Sequence, residues 1–415
     1  MIEGKIIKFY REKARLTQGQ LCEGICSITH LSKIERGITE YSKEITNLLA
    51  DRLGIKTEDE LSRYYALSKK LNQWEEAMIM QRTKESQALK MELETETLIG
   101  MPEFQILFKL LSARYYLFNN KVDSAYDIIQ GLQKHEADLS LHNQNMLKHI
   151  WGIYYFVTGQ FRDCISCLTA IDHDQYNNEE YFYHLAIAYH SIHSNITAYY
   201  YGKKALQFFQ RTLNILRIID TEMMLVVQLN AKELHDFKET KEKYEQLLNL
   251  CDSVHSSERK GKIYHNLGFE CFRRKMYQES ANYYIEAMKL MDEGTPIYLT
   301  TLDSYVHTCF RGNLTSVDTL VELSADGLKK ARELNSTTWI DFQLNLYELK
   351  GDEENFYRFI EETVLPHFRK IGYVILIDHY ERKLFQYYSA KGDNEKALEL
   401  ASAYINSKKS FYDHE

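Results

Sequence analysis

The chain has 415 residues, room for a small domain and a larger one, and only 3 prolines and 18 glycines interrupt it. Its 31 tyrosines and 19 phenylalanines supply bulky groups for packed helices and exclude a disordered chain, and a net charge of −8 argues against a general nucleic-acid coat protein. No secretion signal and no run of about 18 apolar residues is evident, and the 7 cysteines do not suggest a disulfide framework. The sequence therefore predicts a helical, cytoplasmic protein that does not associate with membranes.

The charge is distributed unevenly along the chain. Residues 1–56 carry ten Lys and Arg against seven Asp and Glu, whereas the remainder carries 41 against 52. A mildly basic head on an acidic body suits a molecule whose first domain alone contacts phosphate groups. We expect a head at 1–56, a helical connector at 57–103 and a body at 104–415.

Capping residues and glycines predict four short helices in the head. Thr17, with Gln20 three residues later, has the pattern of a capping box at the start of the second helix. The fourth helix is expected to bury Ile45, Leu48 and Leu49. The predicted helices run to Ala14, from Thr17 to Gly24, from Ser27 to Gly37 and from Ser42 to Leu53.

The third helix has two unlike faces on a helical wheel. Its apolar arc, predicted to be core, holds Ile28, Leu31, Ile34 and Glu35. Its other arc is hydrogen-bonding or cationic throughout, as a helix in the major groove of DNA requires. An ordinary solvated surface is the alternative interpretation. The residues of this arc are Thr29, His30, Ser32, Lys33 and Arg36.

The stretches LTQGQLCEG and SITHLSKIERG resemble the Cro/repressor (XRE) helix-turn-helix. The resemblance covers residues 1–56 and implies that Gln18 contacts a backbone phosphate. It also implies that Arg11 pairs with Glu35, which accounts for a carboxylate on the buried arc. The expected DNA contacts are Gln18, Ser27, Thr29, His30, Ser32, Lys33 and Arg36.

The body repeats a spacing of large, small and aromatic residues, clearest at 147–171, 264–287 and 384–401. Small residues allow two helices to approach closely, and aromatic residues fill the gap to the next pair. From about 104 to 410 we expect roughly nine units near a 34-residue period. This pattern resembles the tetratricopeptide repeat, which implies a right-handed superhelix with a concave groove for a peptide or a protein helix.

Residues 57–103 keep helical spacing, which predicts a helical connector rather than a flexible linker. The apolar residues that set this spacing are Leu61, Tyr64, Leu71, Trp74 and Met78.

The sequence contains no glycine-rich phosphate loop, no His-Glu-x-x-His and no Gly-x-Ser-x-Gly. Cys164 and Cys167 have the spacing of a redox or metal pair, but they stand alone, and Cys164 occupies a small-residue position of a repeat. A packed core is the favoured interpretation of the pair. We therefore predict no metal, no cofactor and no enzymatic activity.

A repressor-type head on a tetratricopeptide body resembles the peptide-pheromone receptors of Gram-positive bacteria, the Rgg/Rap/NprR/PlcR/PrgX group, and its NprR branch in particular. The resemblance implies a cytoplasmic quorum-sensing transcription regulator that binds a short re-imported peptide. It implies a homodimer or tetramer on a palindromic operator in double-stranded DNA. It also implies that polar side chains on the first helix of each pair grip the peptide backbone. The candidates are Asn266, Asn230, Arg273, Gln228, His190, His307, Asn345, His149 and His265.

The same architecture leaves other functions open. One alternative is a bifunctional or Rap-like protein that binds or sequesters a response regulator of the sporulation phosphorelay. A second is a phage-encoded peptide receptor that decides between lysis and lysogeny. A phosphatase scaffolded by the repeats is the third and the least favoured, because no nucleophile or metal site is specified.

Overall fold

The computed structural model describes residues 2–38, 42–231, 236–371 and 374–412, and every regular element in these ranges is a helix. The predicted all-α class is confirmed. The chain divides into two compact units, Met1–Ile150 and Trp151–Glu415. No helix within the described ranges combines the length and the hydropathy needed to cross a lipid bilayer.

The first unit opens with four helices of the head, followed by longer helices that begin at Thr57. A short 3-10 turn, Thr97–Gly100, precedes α7. Helix α9 begins in this unit and ends in the second. The helices are α1 (Ile2–Lys13), α2 (Gln18–Cys22), α3 (Ile28–Glu35), α4 (Lys43–Arg52), α5 (Thr57–Ile79), α6 (Thr83–Thr95), α7 (Pro102–Phe118), α8 (Val122–Gln133) and α9 (Leu141–Val157).

The second unit continues with helices that pack against their neighbours in chain order. A single π-helical turn, Ile360–Val364, separates α20 from α21. The helices are α10 (Phe161–Thr169), α11 (Tyr181–Ser191), α12 (Asn195–Arg211), α13 (Ile215–Ala231), α14 (Phe237–Ser253), α15 (Ser257–Arg273), α16 (Tyr277–Lys289), α17 (Pro296–Gly312), α18 (Val317–Glu333), α19 (Trp339–Leu349), α20 (Glu353–Phe359), α21 (Leu365–Ile371), α22 (Val374–Lys391) and α23 (Asn394–Tyr412).

The caps of the head form where the sequence places them. The Thr17 hydroxyl accepts a hydrogen bond from the Gln20 amide, and the Gln20 side chain accepts one from the Thr17 amide, which completes the capping box. The Ser27 hydroxyl accepts from the His30 amide at 3.2 Å and so caps α3. Gly24 and Gly37 adopt left-handed φ angles of 72° and 68° after α2 and α3.

A small apolar core joins α1 to α4. Leu21, Leu31, Ile34 and Leu49 are fully buried in it. Helix α1 crosses α3 so closely that a Cβ on Gly4 would lie 2.0 Å from the Ile34 carbonyl oxygen, so only glycine fits there.

Two of the apolar residues assigned to this core are outside it. Ile28 is 56% exposed and Leu48 is 47% exposed, so the predicted burial of both is wrong. Ile28 is the first residue of α3. Leu48 precedes the fully buried Leu49, and one residue turns a side chain by about 100° around a helix.

Helices α7 to α23 form pairs, but on a longer period than predicted. Tyr181 and Ile215 begin successive first helices 34 residues apart, whereas Pro296 and Trp339 are 43 apart. The described residues therefore hold eight pairs, not about nine, because several helices and connections are longer than those of a 34-residue repeat.

Small residues lie where successive helices meet, both within a pair and between one pair and the next. A Cβ on Gly268 of α15 would lie 2.8 Å from the Tyr284 ring of α16, and the Ser280 hydroxyl donates to the Gly268 carbonyl at 2.7 Å. A Cβ on Gly327 of α18 would lie 2.4 Å from the ring of Phe342, which is fully buried. These glycines set the separation of the helices.

We expect Gly327→Ala to lower the stability of the second unit by about 1–3 kcal/mol, because the added methyl group overpacks a buried ring. Gly131→Ala in α8 is the matched control, because nothing lies within 4 Å of its added Cβ and alanine favours a helix over glycine. Thermal unfolding followed by circular dichroism measures both. An unchanged melting midpoint for Gly327→Ala would show that the ring can move aside freely.

Candidate functional site

The polar arc of α3 lies on the surface of the head. Thr29, Lys33 and Arg36 are exposed, whereas His30 and Ser32 are half-buried. The Arg36 guanidinium donates from Nε to the Ser32 carbonyl at 3.2 Å, which holds its stem against the end of the helix. The helix thus presents two cations and a hydroxyl to solvent, the groups that meet phosphates and base edges in DNA. Ser27 is also exposed, although its hydroxyl is engaged as the cap of α3.

A buried ion pair holds α3 against α1. Arg11 donates from Nε to one oxygen of Glu35 at 2.5 Å and from Nη2 to the other at 2.9 Å. The remaining terminal nitrogen, Nη1, donates to the Leu16 carbonyl at 2.9 Å. Because both side chains are almost fully buried, this forked geometry is what offsets the loss of hydration.

Gln18 joins the same network. Its Nε2 donates to Oε2 of Glu35 at 2.8 Å, so the first residue of α2 is fixed to the last residue of α3. Arg52 secures the other end of α2 by donating to the carbonyls of Leu21 and Glu23 at 2.9 and 2.6 Å. The relative position of α2 and α3 is therefore set by charged side chains as well as by the core.

The second unit contains a cavity of about 570 Å³. The first helices of four successive pairs, α15, α17, α19 and α22, supply most of its walls. It brings together three of the nine predicted peptide-binding residues, Arg273, His307 and Asn345. A pocket of 300–1,000 Å³ with a few fixed polar groups is typical of a ligand site.

Charge in this cavity is mixed. Asn345 donates from Nδ2 to Asp303 at 2.6 Å. Glu348 accepts from Arg311 at 2.7 Å and lies 3.6 Å from Nδ1 of His307. Burial lowers the pKa of His307, and this outweighs the opposite effect of Glu348.

The two aspartates of the cavity hold their protons unusually tightly. Burial raises the pKa of Asp341 to about 7. The pKa of Asp303 is also raised well above its usual range, first by burial and then by the charge of Asp341. Lys383 shares the cavity, and burial lowers its pKa.

Four other predicted contacts lie elsewhere on the second unit. The Gln228 amide, from α13, lies 2.9 Å from Nδ1 of the half-buried His190 of α11. Nδ1 of His265 lies 3.0 Å from the Thr301 hydroxyl, and burial lowers the pKa of His265 to about 4. Asn266 is half-buried on α15.

The remaining two candidates, like Gln228, are buried. His149 has no exposed surface, and Asn230 is only 3% exposed. Asn230 accepts from the Thr240 hydroxyl at 2.8 Å through its side chain and from Arg273 at 3.3 Å through its carbonyl. In this conformation neither side chain offers a surface to a peptide.

The sequence prediction missed several groups of the cavity. Asp303, His307 and Arg311 are spaced by four residues along α17 and therefore share a face. Asp341 and Asn345 have the same spacing on α19. The sequence did carry a signal for the cavity, because polar residues four apart form a stripe on first helices that are otherwise apolar. The prediction left out the charged residues of this stripe, Asp303, Arg311 and Asp341.

The cysteine pair belongs to the packing of α10. Cys164 is fully buried, and burial with the nearby Cys167 raises the pKa of its thiol to about 12. Neither cysteine is in a disulfide. Among the residues that the structure describes, no group of three or more His, Cys, Asp and Glu side chains is placed to hold a metal ion.

We expect the stability of the second unit to fall as the pH rises from about 4 to 7. Asp341 has a pKa of about 7 in the folded chain against an ordinary 3.8, so the folded state binds this proton more tightly than the unfolded state does. The penalty for ionising the buried carboxyl is complete above that range. Asp341→Asn removes it, so the melting temperature of the variant should fall less between pH 5 and pH 8.

Asp318→Asn, which alters an exposed aspartate on α18, is the matched control for this measurement. Its melting temperature should follow the pH dependence of the unaltered chain. Equal pH dependence for Asp341→Asn and the unaltered chain would contradict the raised pKa.

Comparisons with known proteins cover both parts of the chain. A helix-turn-helix domain family matches residues 7–61. The transcriptional activator NprA of Geobacillus stearothermophilus is 21% identical over 395 residues, 89% of this chain and 94% of the relative. The regulatory protein RapD of Bacillus subtilis is 25% identical over 312 residues, 70% of this chain and 83% of the relative.

A solved structure supports the same assignment of the fold. NprR in complex with its cognate peptide NprX is 19% identical, with a TM-score of 0.68, over 83% of this chain and 99% of that one. The matched domain shows a helix-turn-helix head, and the likeness to this structure shows a tetratricopeptide-type superhelix after it. The head thus matches a helix-turn-helix domain, and most of the chain is similar to NprA, RapD and NprR.

Proposed function

We propose that this protein is a transcription regulator that binds double-stranded DNA through its head and a short signalling peptide through its repeats. The observation that carries the proposal is the exposed polar arc of α3, held by the buried Arg11–Glu35 pair, on a chain that is related to a transcriptional activator along nearly all of its length. We assign DNA binding to residues 1–56, a connecting role to 57–103 and peptide binding to 104–415.

In the proposed complex, α3 lies in the major groove. Thr29 and Lys33 face base edges, and Arg36 reaches a phosphate from the end of the helix. Gln18 contacts the neighbouring phosphate, and its bond to Glu35 fixes the side chain in place before DNA arrives. Ser27, His30 and Ser32 border this surface.

The peptide site we propose is the cavity lined by Arg273, His307 and Asn345. An extended peptide brings unpaired N–H and C=O groups, and the cavity offers both acceptors and donors for them. Asp303 and Asp341 are acceptors when ionised, whereas Asn345 and Arg273 donate. The NprR structure in complex with the peptide NprX supports a peptide as the ligand class.

Peptide binding regulates DNA binding by shifting a conformational equilibrium. A ligand that contacts four first helices favours one arrangement of the repeats over others. In a homodimer on a palindromic operator, the two heads must lie about one turn of DNA apart, so a small change in their spacing changes specific affinity. We place the protein in the cytoplasm, where its DNA target is, and propose that it acts by binding rather than by catalysis.

We expect Lys33→Ala to weaken operator binding and to flatten its dependence on salt by about one counterion if Lys33 meets a phosphate. If it meets a base, sequence preference relaxes instead. Lys203→Ala, an exposed lysine of α12, is the control and leaves both unchanged. Gel-shift titrations at several salt concentrations decide between these outcomes, and unaltered binding after replacement of Thr29, Lys33 and Arg36 together would remove the proposal for the head.

We expect Asn345→Ala and Arg273→Ala each to weaken peptide binding about five- to 150-fold, the range for removing one partner of a buried hydrogen bond. The probes are synthetic peptides that tile the products of any short open reading frames adjacent to the gene, and calorimetry measures their affinity. Asn282→Ala, on the exposed face of the second helix α16, is the control. If no peptide changes the DNA affinity or the oligomeric state of the protein, the proposal that peptide binding regulates DNA binding is wrong.

A further inference from the structure

The DNA-facing end of α3 carries an exposed apolar side chain among hydrogen-bonding ones. Ile28, the first residue of the helix, is 56% exposed. Its neighbours Ser27 and Thr29 are also exposed, and both carry hydroxyl groups. Exposure of most of an isoleucine costs free energy that the core of the head does not recover.

The neighbouring helix leaves room for this side chain. A Cβ on Gly19 of α2 would lie 3.6 Å from Cδ1 of Ile28, so Ile28 leans along a position that has no side chain of its own. The Ser27 hydroxyl accepts from the His30 amide and so fixes the backbone at the start of the helix. Ile28 is thus held at one place on the surface, with its outer methyl groups accessible.

We propose that Ile28 reads a thymine in the operator by packing against its C5-methyl group. In a helix-turn-helix, the N-terminal residues of the recognition helix meet base edges in the major groove. The methyl group of thymine is the one apolar feature that a base pair presents there, and an aliphatic side chain has no hydrogen bond to offer instead. Thr29 and Lys33 then supply the polar part of the same reading surface.

This inference rests on the proposed DNA-binding function and adds a requirement to it. A regulator that used α3 only for polar contacts would tolerate loss of a methyl group from the DNA. If Ile28 contacts a thymine, one thymine of each half-site adds to the binding affinity through its methyl group alone.

The test uses the full-length protein and duplexes that it selects from a random-sequence library, with and without the tiled peptides. Each thymine of a selected half-site is replaced in turn by deoxyuridine, which differs only in the missing methyl group. We expect one position at which the unaltered protein binds about four-fold more weakly, the equivalent of one buried methylene at about 0.8 kcal/mol.

Ile28→Ala supplies the decisive comparison. It should bind the thymine duplex about four-fold more weakly for each half-site that a head occupies, and deoxyuridine at the sensitive position should cause no further loss. Leu48→Ala removes an equally simple aliphatic side chain that is 47% exposed on α4, and it should respond to deoxyuridine as the unaltered protein does. Equal melting temperatures verify that both variants are folded.

Two results overturn the inference while leaving DNA binding intact. One is that no thymine is sensitive to loss of its methyl group. The other is that Ile28→Ala keeps the full deoxyuridine effect, which would give Ile28 a role in packing or in contact between copies of the chain. Failure to select any duplex would instead refute the proposed function of the head.

Discussion

The close approach of paired helices is the constraint on which the body depends. Where two successive helices meet, a glycine on one lies against a large side chain of the other. Gly268 of α15 lies against Tyr284 of α16 within a pair, and Gly202 of α12 lies against Met224 of α13 between two pairs. Interior packing at this density leaves no slack, so each pair has one separation and one register. The first helices of successive pairs then lie side by side, and residues four apart on each of them share a face.

The ends of the helices reinforce this regularity. In the second unit, six of the residues that follow helices adopt left-handed φ angles without being glycine. A left-handed residue reverses the chain within a single step and lets the last carbonyls of the helix find backbone partners. The connections are therefore short. These residues are His193, Leu213, His255, Lys275, Asn313 and Asn335.

The candidate cavity forms where the polar stripes of neighbouring first helices, such as α17 and α19, lie side by side. Asp303 and Asp341 lie on neighbouring first helices, and the packing that fixes those helices also removes both carboxyl groups from water. Burial raises the pKa of both carboxyl groups, and the nearby charge of Asp341 adds to the rise at Asp303. Asn345 stabilises the arrangement by donating to Asp303. The cavity is thus polar, and its carboxyl groups can accept hydrogen bonds from a ligand that brings its own donors.

The helices of the head could be predicted from local patterns in the sequence. The burial of individual side chains could not, because it depends on packing between helices. The caps at Thr17 and Ser27 depend on residues three apart, and the sequence displays them directly. The burial of Ile28 was predicted from a helical wheel, which assumes that neighbouring helices cover the apolar face along the whole length of the helix. At the first turn of α3, Ile28 meets Gly19 of α2, which has no side chain to cover it, so Ile28 is exposed.

In the body, the spacing of small and aromatic residues was enough to predict the type of repeat. It did not predict the period, because the connections vary in length and have no residue pattern that reveals that length. Exposure of polar residues was also unpredictable. His149 and Asn230 sit on the same kind of helix as Asn345, yet both are more deeply buried, and Asn230 is held by Thr240 and Arg273. The register of distant elements decides such burial, and a single sequence does not encode it in a readable pattern.

The charge balance connects the two parts of the molecule. The head exceeds neutrality by three positive charges, and α3 contributes only Lys33 and Arg36 to its exposed face. Each phosphate contact releases about one counterion, so a single head that makes few contacts binds weakly at physiological salt. The acidic body adds no favourable charge. In the proposed homodimer, a second head on the same DNA molecule adds affinity, because it binds at the high effective concentration that tethering provides. Because that advantage disappears when the spacing of the heads is wrong, control of spacing by the body is a more economical switch than blocking the reading surface itself.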